Sequence, residues 1–246
     1  IYVFSCKYFT IVFICENENI WYFIMHTTLK QLEFVQTKIN EIINRKQLKT
    51  KPEIIVVSKT FSIKDVMPLL DYGHIHFGEN KIQEAEEKWT EIKKKYKNMQ
   101  LHMVGKLQSN KVKKAVKLFD FIHSLDNKKL ALMISKYQKE LKKEVKLFIQ
   151  INLAAEEQKS GLLLTNLNNF YNYCVSELSL NIVGLMCLPP VDINSDKYFK
   201  LLKKSSDDLN LNDLSMGMSS DFENAVLNGS TFLRLGTLIM GKRNVI

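Results

Sequence analysis

The stretch Ile54-Ile55-Val56-Val57-Ser58-Lys59-Thr60 decides how the rest of the sequence is interpreted. Its four consecutive β-branched residues indicate a strand that is buried on both faces, as strands are in a parallel sheet. Ser62 and Asp65 follow with the spacing of a capping box, so a helix is expected to begin there. Lys59 is therefore predicted at the carboxyl end of a buried strand, where parallel α/β folds bind their ligands.

Lys59 has two interpretations at this point. A lysine that is partly desolvated has a lowered pKa, and its free amine can attack an aldehyde and form a Schiff base. Alternatively, the side chain only ends the strand and extends to water. The segment alone favours the second interpretation, so the choice depends on the rest of the chain.

The composition is that of a globular protein with an excess of positive charge. The chain has 246 residues, of which 46% are hydrophobic, and its net charge is +9. Such a charge would suit nucleic acid or a membrane surface. However, the lysine runs 93–95, 113–114 and 142–143 fall on the polar sides of predicted helices. No aromatic residues interleave with them as a single-strand platform requires, so we expect solvated faces and no nucleic-acid partner.

Cysteine and histidine show neither a disulfide framework nor a metal site. The four cysteines form no C-x-x-C pair, which indicates a reducing compartment and hence the cytoplasm. No carboxylate–histidine pattern surrounds any of the five histidines, so a structural role is expected for each. The apolar run at residues 8–15 is too short to span a bilayer, and no membrane association is expected.

Residues 1–24 differ from the rest of the chain. They contain no Arg and no small-residue cleavage pattern, unlike a transit peptide or a secretory signal. A clean amphipathic pattern begins at Met25, which we interpret as the true start. We therefore predict one domain at residues 25–246, preceded by a disordered or loosely packed extension that is not native. A targeting segment is the alternative.

Strand and helix patterns alternate after Pro52. Apolar runs predict eight strands, and apolar residues at helical spacing follow each of them. Ser220 and Glu223 have the spacing of a second capping box, which predicts the start of the helix after the seventh strand. The predicted strands are residues 54–58, 74–77, 100–104, 119–125, 145–153, 180–188, 213–218 and 231–235. Eight such units in a chain of this length predict an α/β fold, a single-domain (β/α)8 TIM barrel. A doubly wound sheet is the alternative, but no G-x-G-x-x-G follows the first strand.

The carboxyl ends of these strands gather a distinctive set of side chains. The strand-end residues are Lys59, Asn80, Gly105, Asp126, Asn152, Met186, Ser219 and Arg234. The set contains no Ser-His-Asp arrangement and no close carboxylate pair, so it is poorly suited to hydrolysis. It is better suited to holding an aldehyde and a phosphate.

Two turns supply the phosphate signal. The loops after the seventh and eighth strands of TIM barrels often bind phosphate. Here they read Ser215-Met216-Gly217-Met218-Ser219-Ser220 and Arg234-Leu235-Gly236-Thr237. Glycines let backbone N–H groups approach an anion, and hydroxyl groups add donors. Opposite Lys59, these turns indicate a phosphorylated aldehyde, and the cofactor that combines both groups is pyridoxal 5′-phosphate (PLP).

The sequence closely resembles the pyridoxal phosphate homeostasis proteins, single-domain PLP-binding barrels related to the N-terminal domain of alanine racemase. The resemblance extends over about residues 30–243, and the Ser-Met-Gly-Met-Ser and Arg-x-Gly-Thr runs are its most specific parts. The matching stretches are residues 56–60, 77–80, 83–85, 102–105, 108–112, 159–161, 184–186, 214–219, 229–231 and 234–237, with Gly241 and Arg243.

The resemblance implies a role for each residue of the site. Lys59 would carry PLP as a Schiff base, and Arg234 would face the pyridine nitrogen. The phosphate would be held by Ser219, Gly236 and Thr237, with Asn80 and Met216 close to the cofactor. Arginine is only a donor and stays charged, so it would keep the pyridine nitrogen unprotonated. An unprotonated ring is a poorer electron sink for a carbanion.

The same barrel resembles the N-terminal half of alanine racemase, which also requires a second base from a C-terminal domain. Racemisation requires a base on each face of the substrate carbon, and this sequence supplies a base on only one face. We therefore expect a PLP-binding protein of vitamin B6 homeostasis without robust catalysis. The implied partners are PLP and PLP-dependent apoenzymes, and a monomer is expected. A PLP-dependent racemase and a Schiff-base aldolase acting on a sugar phosphate without a cofactor are the alternatives.

Overall fold

Eight parallel strands close into a barrel in this computed structural model, which describes residues 2–6, 9–13, 22–190 and 194–242. The barrel strands are β4 (Glu53–Val57), β5 (His76–Glu79), β6 (Gln100–Met103), β7 (Phe121–Leu125), β8 (Lys146–Ile151), β9 (Ile182–Cys187), β10 (Asp213–Ser215) and β11 (Phe232–Leu235). They follow one another around the barrel in chain order, and β11 pairs with β4 to close it. The predicted TIM barrel is confirmed.

A helix precedes the barrel and helices follow its strands. These are α1 (Thr27–Lys46), α2 (Ile63–Asp71), α3 (Ile82–Lys95), α4 (Val112–Leu118), α5 (Lys128–Leu141), α6 (Leu167–Asn172), α7 (Asp196–Asp208), α8 (Phe222–Leu227) and α9 (Thr237–Met240). Short 3-10 turns precede α4 and α6, and a π-helical turn, Tyr173–Glu177, follows α6. None of the helices in the described ranges is both long enough and apolar enough to cross a bilayer.

The alternation of side chains along β4 separates two hydrophobic cores. Ile54 and Val56 pack in the larger core between the strands and the helices. Ile55 and Val57 pack instead in a smaller cluster that fills the barrel interior. Because side chains alternate along a strand, Lys59 continues the interior series and lies at the barrel mouth.

The two predicted capping boxes differ in outcome. At α2, the backbone N–H and the hydroxyl of Ser62 both donate to Asp65 Oδ2, at 2.9 and 2.7 Å. Ser62 is the N-cap residue of α2, so the predicted box is confirmed. The box predicted for Ser220 and Glu223 is wrong, because α8 has Asp221 as its N-cap residue. Asp221 Oδ1 accepts instead from the Met218 N–H (2.6 Å) and closes the turn that precedes the helix.

Two predicted strands have wrong bounds: the seventh ends too late, and the second, predicted at residues 74–77, is observed at His76–Glu79. The seventh strand ends at Ser215 because Gly217 turns the chain with a φ of +91°, and a Cβ there would lie 2.5 Å from the Ala225 side chain. The second strand begins at His76 because the His74 N–H bonds to the Leu69 carbonyl (3.0 Å) at the end of α2.

Two lysines depart from the solvated faces that the sequence predicted. Lys93 donates to Asp120 Oδ2 (2.5 Å) and to the Leu118 carbonyl (2.9 Å), and Lys143 donates to the Phe119 carbonyl (2.8 Å). Burial and the neighbouring Lys93 lower the pKa of Lys143 to about 8. Both side chains therefore cover the carboxyl end of α4, where cations are favoured.

The first residues form a separate antiparallel sheet of strands β1 (Tyr2–Cys6), β2 (Phe9–Phe13) and β3 (Tyr22–Met25). The backbone is thus extended and paired where the sequence predicted a disordered or loosely packed extension. The division of the chain at Met25 stays a prediction, and Arg243 lies outside the described residues.

We expect a chain that begins at Met25 to keep the melting temperature of the full chain. The three strands pair with one another in their own sheet, and α1 keeps its cap, in which the Thr28 N–H donates to His26 Nδ1 at 3.4 Å. Differential scanning calorimetry of both chains tests this. A chain that begins at Leu29, which lacks the cap, is the control and should melt a few degrees lower. A fall of more than about 5 °C for the Met25 chain would show that the segment stabilises the barrel.

Candidate functional site

A cavity of about 450 Å³ opens at the carboxyl ends of the barrel strands. It brings together most of the residues that the sequence predicted for the site, namely Lys59, Asn80, Ser219, Arg234, Gly236 and Thr237. The other lining residues are Val57, Phe61, Val104, Leu188, Met218, Ser220 and Gly241. Apolar side chains form one part of the wall, and hydroxyl groups and two cations form another.

The backbone on both sides of Lys59 is held from outside the barrel. The Ser58 hydroxyl donates to Glu79 Oε1 (2.8 Å), and the Ser58 carbonyl accepts from Lys88 Nζ (2.8 Å). The Thr60 N–H bonds to the Glu84 carboxylate, and Thr60 has a φ of +68°, which is uncommon for a residue other than glycine. The backbone is therefore fixed at Ser58 and at Thr60, so the Lys59 side chain extends from a rigid position.

Glu79 is the centre of this support. Its carboxylate is wholly buried, and Oε1 accepts from Ser58, from Lys88 Nζ (2.8 Å) and from Trp89 Nε1 (3.0 Å). Oε2 has no hydrogen-bond partner among the described residues. Lys88 is also largely buried, so the two residues form an ion pair that is shielded from water.

Arg234 places a buried positive charge at the cavity. Its side chain is 5% exposed; Nη1 donates to the Ser215 hydroxyl (2.6 Å) and Nη2 to the Cys187 carbonyl (2.9 Å). Burial lowers the pKa of Arg234, while Cys187 and Asp221 raise it, and the guanidinium stays charged near neutral pH. Burial also raises the pKa of the Cys187 thiol to about 12, so this thiol stays protonated.

The other polar part of the cavity suits an anion. Gly236 is the residue before α9, and the Leu238 N–H in the first turn of that helix donates to Ser219 Oγ (3.2 Å). The hydroxyl residues Ser219, Ser220 and Thr237 line the cavity beside it. These donors, together with a lysine amine and a guanidinium, fit a ligand that carries both a phosphate and an aldehyde.

Asn80 reaches the cavity because the neighbouring strand leaves space for its backbone. A Cβ at Gly105 would lie 2.4 Å from the Asn80 carbonyl oxygen and 2.7 Å from its Cα. Only glycine therefore allows the chain after β6 to lie this close to the chain after β5.

Met216 is the one predicted site residue that does not line the cavity. Its side chain is fully buried in the outer core, and its carbonyl accepts from the Ser230 hydroxyl (2.8 Å). Met218, two residues later, lines the cavity instead. Contact between Met216 and a cofactor stays a prediction, and the backbone of Met216 supports the loop from beneath.

A row of histidines in the barrel interior was not predicted. His76 Nδ1 is 2.9 Å from His102 Nε2, and His102 Nδ1 is 2.9 Å from His123 Nε2. His123 Nδ1 lies 2.8 Å from the Ser215 hydroxyl that accepts from Arg234. The row thus begins at the opposite end of the barrel and ends beneath the cavity.

These histidines lie among aromatic rings and not near metal ligands. His102 stacks on Phe121 and His123 on Phe148, each with ring centres 4.3 Å apart. Burial holds the pKa of His102 and of His123 well below the usual range. The described residues include no group of three or more side chains arranged to hold a metal ion. The alternation of side chains along a strand is the sequence signal that could have found the row. His76 and His102 lie two residues before Gly78 and Val104, which both face the barrel interior.

Comparisons with known proteins identify the fold family. Residues 35–244 match the family described as alanine racemase, N-terminal domain. An alanine racemase from Clostridium difficile 630 superimposes with a TM-score of 0.64 at 12% identity, covering 88% of this chain and 57% of the racemase. At that identity the likeness shows the fold alone. The fold and the cavity together define a barrel of the alanine racemase N-terminal type with a site for a phosphorylated aldehyde.

Closer relatives identify the family within that class. The pyridoxal phosphate homeostasis protein of Pasteurella multocida is 31% identical over 229 residues, which are 89% of this chain and 98% of the relative. That of a Synechocystis species is 35% identical over 199 residues, which are 77% and 91% of the two chains. The structure of PipY from Synechococcus elongatus PCC7942 with PLP bound is 34% identical, with a TM-score of 0.73, and covers 82% of this chain and 100% of PipY. This chain belongs to the pyridoxal phosphate homeostasis protein family.

We expect Lys88→Met to lower the free energy of unfolding by about 3–5 kcal/mol, because it leaves the Glu79 carboxylate buried without its counter-charge. Urea denaturation measures the change. Lys94→Met, on the same helix, is the matched control, since Lys94 pairs with Glu91 at the surface and should contribute less than about 1 kcal/mol. Equal losses in the two variants would show that the buried pair does not support the Lys59 peptide.

Proposed function

We propose that this protein binds PLP and acts in the homeostasis of that cofactor. The observation that carries the proposal is the cavity at the barrel mouth, which is lined by Lys59, Arg234 and the hydroxyl groups beside α9. The name of the relatives and the PLP-bound structure of PipY support the same ligand. When bound, PLP supplies an electron-withdrawing ring that can stabilise negative charge on an attached amino acid.

Each lining residue has a role that follows from its chemistry. The Lys59 amine would hold the aldehyde carbon covalently, and the fixed peptides around it would keep that amine in place. Arg234 would face the ring nitrogen, and as a permanent donor it would keep that nitrogen unprotonated. The phosphate would be held by Ser219, Gly236 and Thr237, with Asn80 close to the cofactor. Met216 is also proposed to lie close to the cofactor, beneath the loop that carries Met218 and Ser219.

The supply of bases supports a carrier more than an enzyme. Among the described residues that line the cavity, Lys59 is the one side chain that can act as a base near neutral pH, because Arg234 stays protonated. Racemisation requires a base on each face of the substrate carbon. We therefore infer that the protein stores and delivers PLP without robust catalysis. A racemase would need its second base from a partner chain.

The proposal extends to partners and location. PLP-dependent apoenzymes would be the acceptors of the cofactor. The barrel sheet is closed, so its strands offer no edge to a second copy, and this favours a monomer. Cys174 and Cys187 are free and buried, which is compatible with a reducing cytoplasm.

We expect the purified protein to absorb visible light and Lys59→Ala to lose that band while keeping the barrel folded, because the side chain lies at the mouth and not in a core. Borohydride reduction and peptide mapping of the wild type should place the adduct on Lys59. Lys64→Ala, which changes an exposed lysine a few residues away, is the control and should keep the band. An adduct on another lysine, or none, would refute the assignment.

We expect alanine to exchange its Cα hydrogen only slowly in the presence of the PLP-loaded protein. With an unprotonated ring and one base, deprotonation should be slow on both faces. Incubation of L- and D-alanine in deuterated water, followed by mass spectrometry, measures the exchange. Deuterium incorporation at about one turnover per second or faster would be ordinary for an enzyme and would favour the racemase instead.

A further inference from the structure

We propose that a hydrogen-bond chain of fixed direction runs through the barrel interior from Arg234 to Glu53 and positions the Arg234 guanidinium. The links are Ser215, His123, His102 and His76, and they connect the floor of the cavity with the opposite end of the barrel. The direction of the chain follows from these contacts alone. Its consequence for PLP rests on the proposed function.

Neutral histidine rings make such a chain possible. A neutral imidazole has one N–H donor and one lone-pair acceptor, whereas a cationic ring has two donors. His102 and His123 are fully buried and stack on phenylalanine rings, so a charge on either would be costly. In a row of neutral rings, each ring must therefore accept on one side and donate on the other.

Arg234 determines the direction at the cavity end. A guanidinium can only donate, so the Ser215 oxygen accepts from Nη1. The hydroxyl hydrogen of Ser215 then needs an acceptor, and the other polar side-chain atom that contacts Ser215 Oγ in the described structure is His123 Nδ1 (2.8 Å). His123 Nδ1 must be the lone-pair atom, which places the ring hydrogen on Nε2.

The direction then passes from ring to ring. His123 donates from Nε2 to His102 Nδ1, and His102 donates from Nε2 to His76 Nδ1. Each ring is consequently the Nε2–H tautomer. The opposite direction would give Ser215 two donors and leave its own hydrogen unused.

The far end of the chain favours the same direction. His76 Nε2 lies 3.8 Å from Glu53 Oε2, and a carboxylate attracts an N–H but repels a lone pair. Glu53 is 62% exposed, so this end is in contact with water. Burial lowers the pKa of His76; the nearby Glu53 raises it and Lys146 lowers it, and the net shift is downward. With Arg234 as the donor at one end and Glu53 as the acceptor at the other, every hydrogen bond in the chain has the same direction.

The chain positions Arg234 because it commits the hydrogen of Ser215 to His123. The serine lone pairs then stay directed at the guanidinium, and together with the Cys187 carbonyl they determine how Arg234 enters the cavity. The histidines act through Ser215, so they are positioning residues for the group that would face the ring nitrogen of PLP.

The tautomers test the direction in protein without cofactor. Nitrogen-15 NMR of labelled histidine at pH 7.5 should show His76, His102 and His123 as neutral Nε2–H rings. An Nδ1–H tautomer or a cationic ring at His102 or His123 would overturn the proposal. This result does not depend on whether PLP binds, so it separates failure of the chain from failure of the proposed function.

His102→Phe tests the positioning role, because it cuts the chain in its middle while keeping an aromatic ring against Phe121. We expect His123 to become a mixture of tautomers and the Kd for PLP to rise about fivefold, the effect of one weakened neutral hydrogen bond. The separate Nη1 and Nη2 signals of Arg234 in the cofactor-free protein should merge. Phe148→Leu, which alters packing on His123 but no polar link, should change none of these readings.

Ser215→Ala is the second variant if His102→Phe does not fold, since it removes one buried oxygen and leaves every ring in place. We expect the same two readings as for His102→Phe: a mixture of tautomers at His123, and merged Nη1 and Nη2 signals of Arg234. If either folded variant lowers the melting temperature but leaves the His123 tautomer and the Arg234 signals unchanged, the histidines are only structural and the proposal is wrong.

Discussion

The buried charge of Arg234 is the constraint on which the interior of this barrel depends. A guanidinium is costly to remove from water unless its donors find acceptors. The next two strands around the barrel supply them, the Ser215 hydroxyl from β10, which pairs with β11, and the Cys187 carbonyl from the end of β9, which pairs with β10. Neither acceptor carries a charge, so the positive charge remains directed at the cavity. The polar row beneath it has the same origin, because a serine that accepts from arginine must give its own hydrogen to a further acceptor.

The chemistry inside the barrel is supported from outside it. Side chains alternate along β4, so Lys59 faces the mouth while Ser58 faces the helices. There the buried Glu79 and Lys88 fix the strand end, and the Thr60 peptide is held by Glu84. A lysine side chain is flexible, but the backbone from which the Lys59 side chain extends is held rigidly. This arrangement reduces the entropy that is lost when its amine engages a ligand.

A barrel of this type does not by itself decide between carrier and enzyme. Alanine racemase shares the fold at 12% identity, and this chain covers 57% of that protein. On the proposed function, the difference lies in the base supply and in the electronic state of the cofactor ring. Lys59 is the one base among the described lining residues, and Arg234, facing the ring nitrogen as proposed, would disfavour protonation of that nitrogen. Both features are consistent with holding a reactive aldehyde safely.

The sequence by itself determined the barrel and the main residues of its mouth. Period-two and period-3.6 patterns are local, so they indicate elements reliably; strand ends then identify Lys59, Asn80 and Arg234, and the glycine turns identify Ser219 and Thr237. Local signals were insufficient where a residue depends on distant partners. The helix predicted to begin at Ser220 has Asp221 as its N-cap residue, and Met218 lines the cavity although no local pattern singled it out. Only the tertiary structure decided the row from His76 to Ser215 and the pair of Glu79 with Lys88, because no local spacing relates these groups. Barrel closure brings His123 to Ser215, and the packing of α3 against β5 brings Lys88 to the buried Glu79.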